Sequence, residues 1–274
     1  MIIKANGGIS VISAFSNGTG AAASIELPML TYLYEAHKDE FNSKPVKDTV
    51  DFIRNIYSIS NNYKIVIRSS IPPARGLKSS SAMTLSIVYG ILKINGINAS
   101  DEDILKLSAE ASIYNKTSIT GAIDDLSSSY YGGLCVTDNI HNKLISRSKM
   151  DDYYVLIGYG KNRRKTYGLN VNNLSKYAQF YMHLEALLSS GFVYETMMLN
   201  GYIFESKIGG NRKLVNYMFS HGAIYAGQSG KGPAIFGIFN DIETMENAFG
   251  KFNINSHILI KSRFNNNGID ITME

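Results

Sequence analysis

Tryptophan is absent from this chain of 274 residues, cysteine occurs once, as Cys135, and there are five prolines. One thiol excludes a disulfide framework, and no Cys/His cluster has the spacing of a structural zinc site. That usage fits a reducing compartment, and the cytoplasm is the expected address. An excess of one charge is lacking as well. Lys and Arg number 27 against 23 Asp and Glu, a formal charge of +4. So small a surplus argues weakly for nucleic acid and suits small anionic substrates equally well. Long apolar runs are also missing. Residues 5–25 are uncharged, but Asn6, Ser10, Ser13, Ser16, Asn17, Thr19 and Ser24, with glycines at 7, 8, 18 and 20, interrupt them. A membrane span needs ~20 predominantly apolar residues, and Ser79 to Leu92 is too short for one. The basic-then-apolar order of a secretion signal is not there either. A soluble protein with no membrane partner is expected.

What is present is globular: 45% of residues are hydrophobic and 18% charged. Single cores stop growing near ~250–300 residues, so two sub-domains sharing an interface are expected. The polar stretch Ser146 to Asp152 marks their boundary, giving halves 1–150 and 151–274. No internal repeat is visible, and asparagine forms a run only at Asn265 to Asn267. Ile2 to Phe15 reads as a strand that breaks into a loop at Asn17-Gly18-Thr19-Gly20. Tyr63 to Arg68 is a β-branched strand, stopped by Pro72 and Pro73. Ser79 to Lys93 has apolar residues all round its axis, the mark of a buried helix. Asp101 to Asn115 is a second helix with Ser100 as N-cap, and a short third helix follows Ile123. Strands are expected at Leu134 to Thr137, Tyr153 to Tyr159, Ala234 to Phe239 and His257 to Lys261. Helices are expected within Leu169 to Ser206, at Asn211 to Ser220 and near Ile242 to Phe249. Strands and helices interleave without a regular βαβ period, so the class is α+β.

Three stretches carry chemistry. Pro72 to Ala82 (PPARGLKSSSA) sets a rigid turn, Gly76, Lys78 and three serines at the start of the buried helix. Helix starts expose about four unpaired N–H groups and roughly half a positive charge, which attract phosphate. The serines serve equally well as ordinary caps. Gly222 to Pro233 (GAIYAGQSGKGP) lets backbone N–H groups approach an anion, as ordinary turns also do. Thr120 to Gly133 places Asp124 and Asp125 ahead of a serine-rich segment, where they suit a general base and magnesium, or a helix cap. Neither glycine-rich loop has the spacing of a P-loop or a dinucleotide fingerprint. Lys161 to Lys165 is a basic turn whose Arg163 or Arg164 suits a substrate carboxylate. The five histidines lack metal-ligand spacing, and Cys135 reads as core.

Taken together, these stretches resemble the GHMP kinases. Pro73 to Ala82 is similar to their phosphate loop, and Gly227 to Pro233 to their third, glycine-rich motif. Within that superfamily the resemblance is to archaeal-type shikimate kinases, carried by Thr120-Gly121-Ala122, Asp124-Asp125, Ser129 to Gly133 and Thr137-Asp138-Asn139, and supported by Gly18 to Ala22 as an opening loop. It runs along essentially the whole chain. One departure is clear: members commonly carry Thr-Gly-Lys-Gly near the N-terminus, where this chain has Asn17-Gly18-Thr19-Gly20. In the third motif Lys231 stands where a small residue is frequent.

The resemblance implies a two-half fold with a ferredoxin-like C-terminal part, and ATP and Mg²⁺ as cofactors. It implies that Pro73, Ala74, Arg75, Gly76, Leu77, Lys78, Ser79, Ser80, Ser81 and Ala82 wrap the nucleotide phosphates. Ser80 and Glu110 would hold magnesium, and Asp125 with Lys78 would be catalytic. Gly18, Thr19, Gly20, Asp124, Asp125, Gly227, Ser229 and Gly230 would face the substrate. The implied reaction is ATP-dependent phosphorylation of the 3-hydroxyl of shikimate, with no nucleic-acid partner. Rivals are a homoserine or mevalonate-type kinase and a catalytically silent ligand sensor of the same fold. Oligomeric state is not legible.

Overall fold

The computed structural model describes residues 1–14, 17–160, 177–253 and 255–273. The basic run at 161–165 lies outside them. The chain opens with β1 (Ile2–Ile12) antiparallel to β2 (Thr19–Ala36). Next come α1 (Lys44–Tyr57) and β3 (Asn62–Ser69), then α2 (Ser79–Ile94), α3 (Asp101–Tyr114) and α4 (Ile123–Tyr131). β4 (Leu134–Asp138) and β5 (Lys143–Ser148) complete the first half. Beyond it lie β6 (Tyr154–Gly160), α5 (Ala178–Ser189), α6 (Val193–Ile208), α7 (Arg212–Ser220), β7 (Tyr225–Gln228), β8 (Ile235–Phe239), α8 (Ile242–Gly250) and β9 (His257–Arg263). The last strand, β10 (Asp270–Thr272), returns to pair with β1.

Local chemistry accounts for most of these elements. In α1, Val46, Val50 and Ile53 fall on one stripe and are buried, each contributing ~1.5–3 kcal/mol of apolar transfer. Ser100 and Asp103 form a capping box at the start of α3. In α2, by contrast, residues on every side are buried, from Ala82 and Leu85 to Ile91, as the all-round apolar pattern predicts.

Two sheets result. The first runs β10-β1-β2-β4-β5, with β3 also pairing to β2. The second runs β7-β8-β6-β9, all antiparallel. Its four strands with their helices form the β-α-β-β-α-β arrangement of a ferredoxin-like unit, as expected. One core packs α1 to α4 on the first sheet, through Leu33, Val50, Leu85, Ile104 and Leu126. A second core is shared between the halves: Ile9, Ile12 and Ala23 meet Val155, Ile157, Met197 and Phe236.

The opening loop expected at Gly18 to Ala22 is corrected here: Thr19 to Ala22 already belong to β2. Gly20 to Ile25 are buried without interruption, so the period of two that marks a half-exposed strand is missing from them. Sequence patterning also passed over the rest of β2, α1, β5, β7 and β10.

Candidate active site

The loop between β3 and α2 turns three times through left-handed backbone, at Ala74 (φ 56°), Gly76 (φ 77°) and Lys78 (φ 68°). Lys78 is the N-cap of α2. No side chain caps the helix and no acid occupies its first turn. The N–H groups and hydroxyls of Ser79, Ser80 and Ser81 are therefore offered outward without a competing anion. The loop is fastened from two sides. Gly8 N donates to Leu77 O at 3.3 Å, while Ser229 Oγ donates to Gly76 O at 2.8 Å and Ala234 N to Arg75 O at 3.1 Å. A Cβ on Gly76 would lie 2.7 Å from Ser229 O, so the two loops touch where only glycine fits.

The acids come from the first turn of α4, whose N-cap, Ala122, is also left-handed (φ 52°) and offers no side-chain cap. Lys78 Nζ lies 2.6 Å from Asp125 Oδ1, an ion pair off the direction of an ideal hydrogen bond, and donates to Ser10 Oγ at 2.5 Å. Burial pushes the Asp125 carboxyl up to about 6; Lys78 opposes that rise and Asp124 adds to it. Asp124 is turned aside and held. Asn139 Nδ2 donates to its Oδ1 at 2.9 Å, and Thr137 Oγ1 donates to Asn139 Oδ1 at 2.7 Å. The opposite wall brings Lys231, whose ammonium burial holds below the usual lysine range although Asp125 pulls it back up.

These groups line one cleft of about 240 Å³. It gathers Ala74, Arg75, Gly76, Lys78, Ser79, Ser80, Ser81, Asp124, Asp125 and Ser229 from the sequence-based set. Other members of that set stand apart. Leu77 and Ala82 are core residues, and Pro73 is exposed behind the loop. Gly18 packs on Ile140, Gly20 lies beneath Asp124, Thr19 pairs with Asp138, and Gly227 packs on Phe236. Gly230 supports the wall from behind, against Ser10. Glu110 is half-buried on α3 and does not line the cleft.

The sequence-based set lacked Ser10 and Ser13 on the β1 side, Lys116 to Thr120 between α3 and α4, Asn139, and Lys231. Ser10 carried no signal, being one of three polar residues in β1 with nothing in the sequence to tie it to the other motifs. The 116–120 wall depends on Asn115, which donates to Thr49 Oγ1 and Thr84 Oγ1 at 2.8 and 3.0 Å while accepting from Thr117 N at 3.0 Å. Lys231 was visible in its glycine turn but had nothing to tie it to Asp125.

Such a cleft can bind a polyphosphate on the α2 start, neutralise its terminal charge with lysines, and take a proton on Asp125. Among the described residues no three His, Cys, Asp or Glu side chains gather to hold a metal. Magnesium is usually held by one or two carboxylates together with substrate phosphates. The Ser80 hydroxyl, which lines the same cleft as Asp124 and Asp125, fits an ion that arrives with a nucleotide.

Comparison with known proteins agrees with this geometry. Residues 44–133 match the family model for the GHMP kinases N terminal domain. Over 267 residues the chain is 34% identical to a shikimate kinase from Thermoplasma acidophilum, covering 97% of this chain and 96% of that one. A shikimate kinase from Pyrococcus furiosus is 30% identical over 260 residues, covering 91% and 95%. Among solved structures, the fold is similar to Methanococcus jannaschii mevalonate kinase (TM-score 0.78, 18% identity, 96% of this chain and 98% of that one). It is also similar to Lactococcus lactis galactokinase (TM-score 0.74, 12% identity, 98% and 94%).

Proposed function

Since the chain belongs to the GHMP kinases, in their archaeal shikimate kinase branch, we propose that it transfers the terminal phosphoryl group of ATP to the 3-hydroxyl of shikimate. The products are shikimate 3-phosphate and ADP, in the route to chorismate and the aromatic amino acids. The observation that carries the reading is the meeting of the uncapped, serine-lined start of α2 with Asp125 and Lys78 in one cleft.

The phosphates rest on the N–H groups and hydroxyls of Ser79 to Ser81. Asp125, mostly ionised at neutral pH, takes the hydroxyl proton as the acceptor oxygen bonds to phosphorus and the bond to the ADP oxygen breaks. Lys78 fixes the Asp125 carboxylate and places a positive charge where negative charge moves. Asp124, locked by Asn139, shapes the acceptor side, and Ser229 holds the phosphate loop against the second half. Mg²⁺, with Ser80 as its protein ligand, would neutralise the phosphate oxygens when bound. The division of labour follows the proposed halves: 1–150 brings phosphate loop and base, and 151–274 brings Ser229 and Lys231, although its last strand belongs to the first sheet. We place the enzyme in the cytoplasm, acting on dissolved small molecules without nucleic acid. No helix among the described residues is long and apolar enough to cross a membrane.

A coupled ADP-release assay with shikimate, homoserine and mevalonate tests this. Shikimate-dependent ADP release, with at most background from the other two, is expected. Turnover on another alcohol alone would replace the substrate, and nucleotide binding without turnover on any of the three would turn the enzyme into a sensor.

A further inference from the structure

Among the described residues, Lys231 is the charged group that the second half brings to the cleft lining, and its backbone is fixed on both sides. Gly230 is left-handed (φ 50°), and a Cβ there would lie 2.6 Å from Ser10 Oγ. Gly232 is left-handed too (φ 62°). Its N donates to Ser229 O at 2.8 Å, and a Cβ on Gly76 would lie 3.1 Å from its O. Gln228 Nε2 closes the turn by donating to Gly230 O at 3.0 Å. Lys231 is therefore carried between Ser10, which holds Lys78, and Gly76 of the phosphate loop. Only glycine neighbours let the turn sit so close to both.

The Lys231 side chain is half-buried. Burial holds its ammonium below the usual lysine range; Asp125 raises it again, Lys78 lowers it further and Asp124 raises it. The groups that act on Lys231 are thus the ones that surround the reacting atoms. Other cations of the lining are engaged or more exposed. Lys78 faces Asp125 at 2.6 Å, which partly cancels its charge toward a phosphate. The buried Arg75 guanidinium lies 5.1 Å over the Tyr159 ring, and Lys116 is exposed. A transferring phosphoryl group spreads negative charge over three equatorial oxygens, more than one partly cancelled cation can balance. An acceptor carboxylate is a poorer occupant of this place. Held by Lys231 it would meet the like charges of Asp125 and Asp124, where the acceptor hydroxyl must come.

We propose that Lys231 contacts the terminal phosphoryl group of the nucleotide and carries its negative charge during transfer, as a second cation beside Lys78. Lys231 forms no bond to phosphorus and gives up no proton; the hydroxyl proton still goes to Asp125. The proposal rests on the kinase reading above, but not on which alcohol is the acceptor.

Equilibrium binding of ATP and of ADP, each with Mg²⁺ and without acceptor, tests the contact in Lys231→Met and Lys231→Gln, which keep a stem and remove the charge. Losing one charge-assisted hydrogen bond should weaken ATP binding about tenfold or more and ADP binding less than about twofold. Retained ADP affinity also shows that the variants are folded. With shikimate as acceptor, kcat should drop by ~10²–10³ while the acceptor KM stays nearly unchanged. Equal losses for ATP and ADP in both variants, or wild-type kcat in either, overturn the proposal. So does a raised acceptor KM at intact kcat, which would put the acceptor carboxylate on Lys231. A wild type that binds ATP yet phosphorylates no alcohol ends the kinase reading, and the comparison of ATP with ADP then decides the Lys231 contact by itself.

Discussion

Lys78 is held in a left-handed conformation that costs an L-residue ~1–3 kcal/mol, and the strain aims its ammonium at Asp125 and Ser10 together. Asp125→Asn removes the proton acceptor while keeping the shape. Its turnover should fall by ~10²–10⁴, with ATP affinity from equilibrium binding changed little; near-normal turnover would take Asp125 out of the mechanism. The raised carboxyl sets a pH window. Because the ionised form is the acceptor, kcat/KM should lose activity as pH drops through about 6, seen as an acid limb in a pH–rate profile. The sign for stability is opposite. A folded-state value near 6 against 3.8 for the free side chain means that the folded chain binds this proton more tightly. Asp125 therefore costs stability progressively from about pH 4 to about pH 6, in full above that, and Asp125→Asn should flatten this part of a urea-midpoint-versus-pH curve.

Elements differ in whether their ends serve stability or the site. α3 starts with a complete capping box at Ser100, remote from the cleft. Ser100→Ala should cost ~0.5–2 kcal/mol in urea unfolding and leave kcat alone. α2 and α4 begin on left-handed residues with no side-chain cap; at α2, whose first turn carries no acid, the missing stabilisation is the vacancy that phosphate can fill. Gly76 joins these two economies. An alanine there would force its Cβ to 2.7 Å from Ser229 O at φ 77°. Gly76→Ala should therefore lower stability by ~1–3 kcal/mol and raise KM for ATP, read from urea midpoints and steady-state kinetics. The serine- and glycine-rich stretches were legible in sequence because helix starts and tight turns are chosen by neighbouring residues. β2 was not, since its buried Ala21 to Ile25 run depends on being covered on both faces by other elements.

In the whole molecule, the core shared by Ile9, Ile12 and Ala23 with Val155, Ile157 and Phe236 joins the two halves. The 265–269 segment then straps the second half to the first. Unfolding should be one cooperative transition, with tyrosine fluorescence and far-UV circular dichroism coinciding. Asn266→Ala, which strips both bonds to Met150, should lower the midpoint by ~1–3 kcal/mol without separating the two probes; separated transitions would mean that the halves fold independently. By itself the sequence determined the α+β class, the kinase family, the buried α2 and the segments bearing serines, glycines and acids, because each is a pattern within a short window. Only the tertiary structure decided that Lys78 stands between Asp125 and Ser10, that Lys231 lines the same cleft, that Glu110 is not in its lining, and that β10 returns to β1. Those outcomes depend on strand register and on how two cores close against each other, and no run of adjacent residues encodes a distance across a cleft.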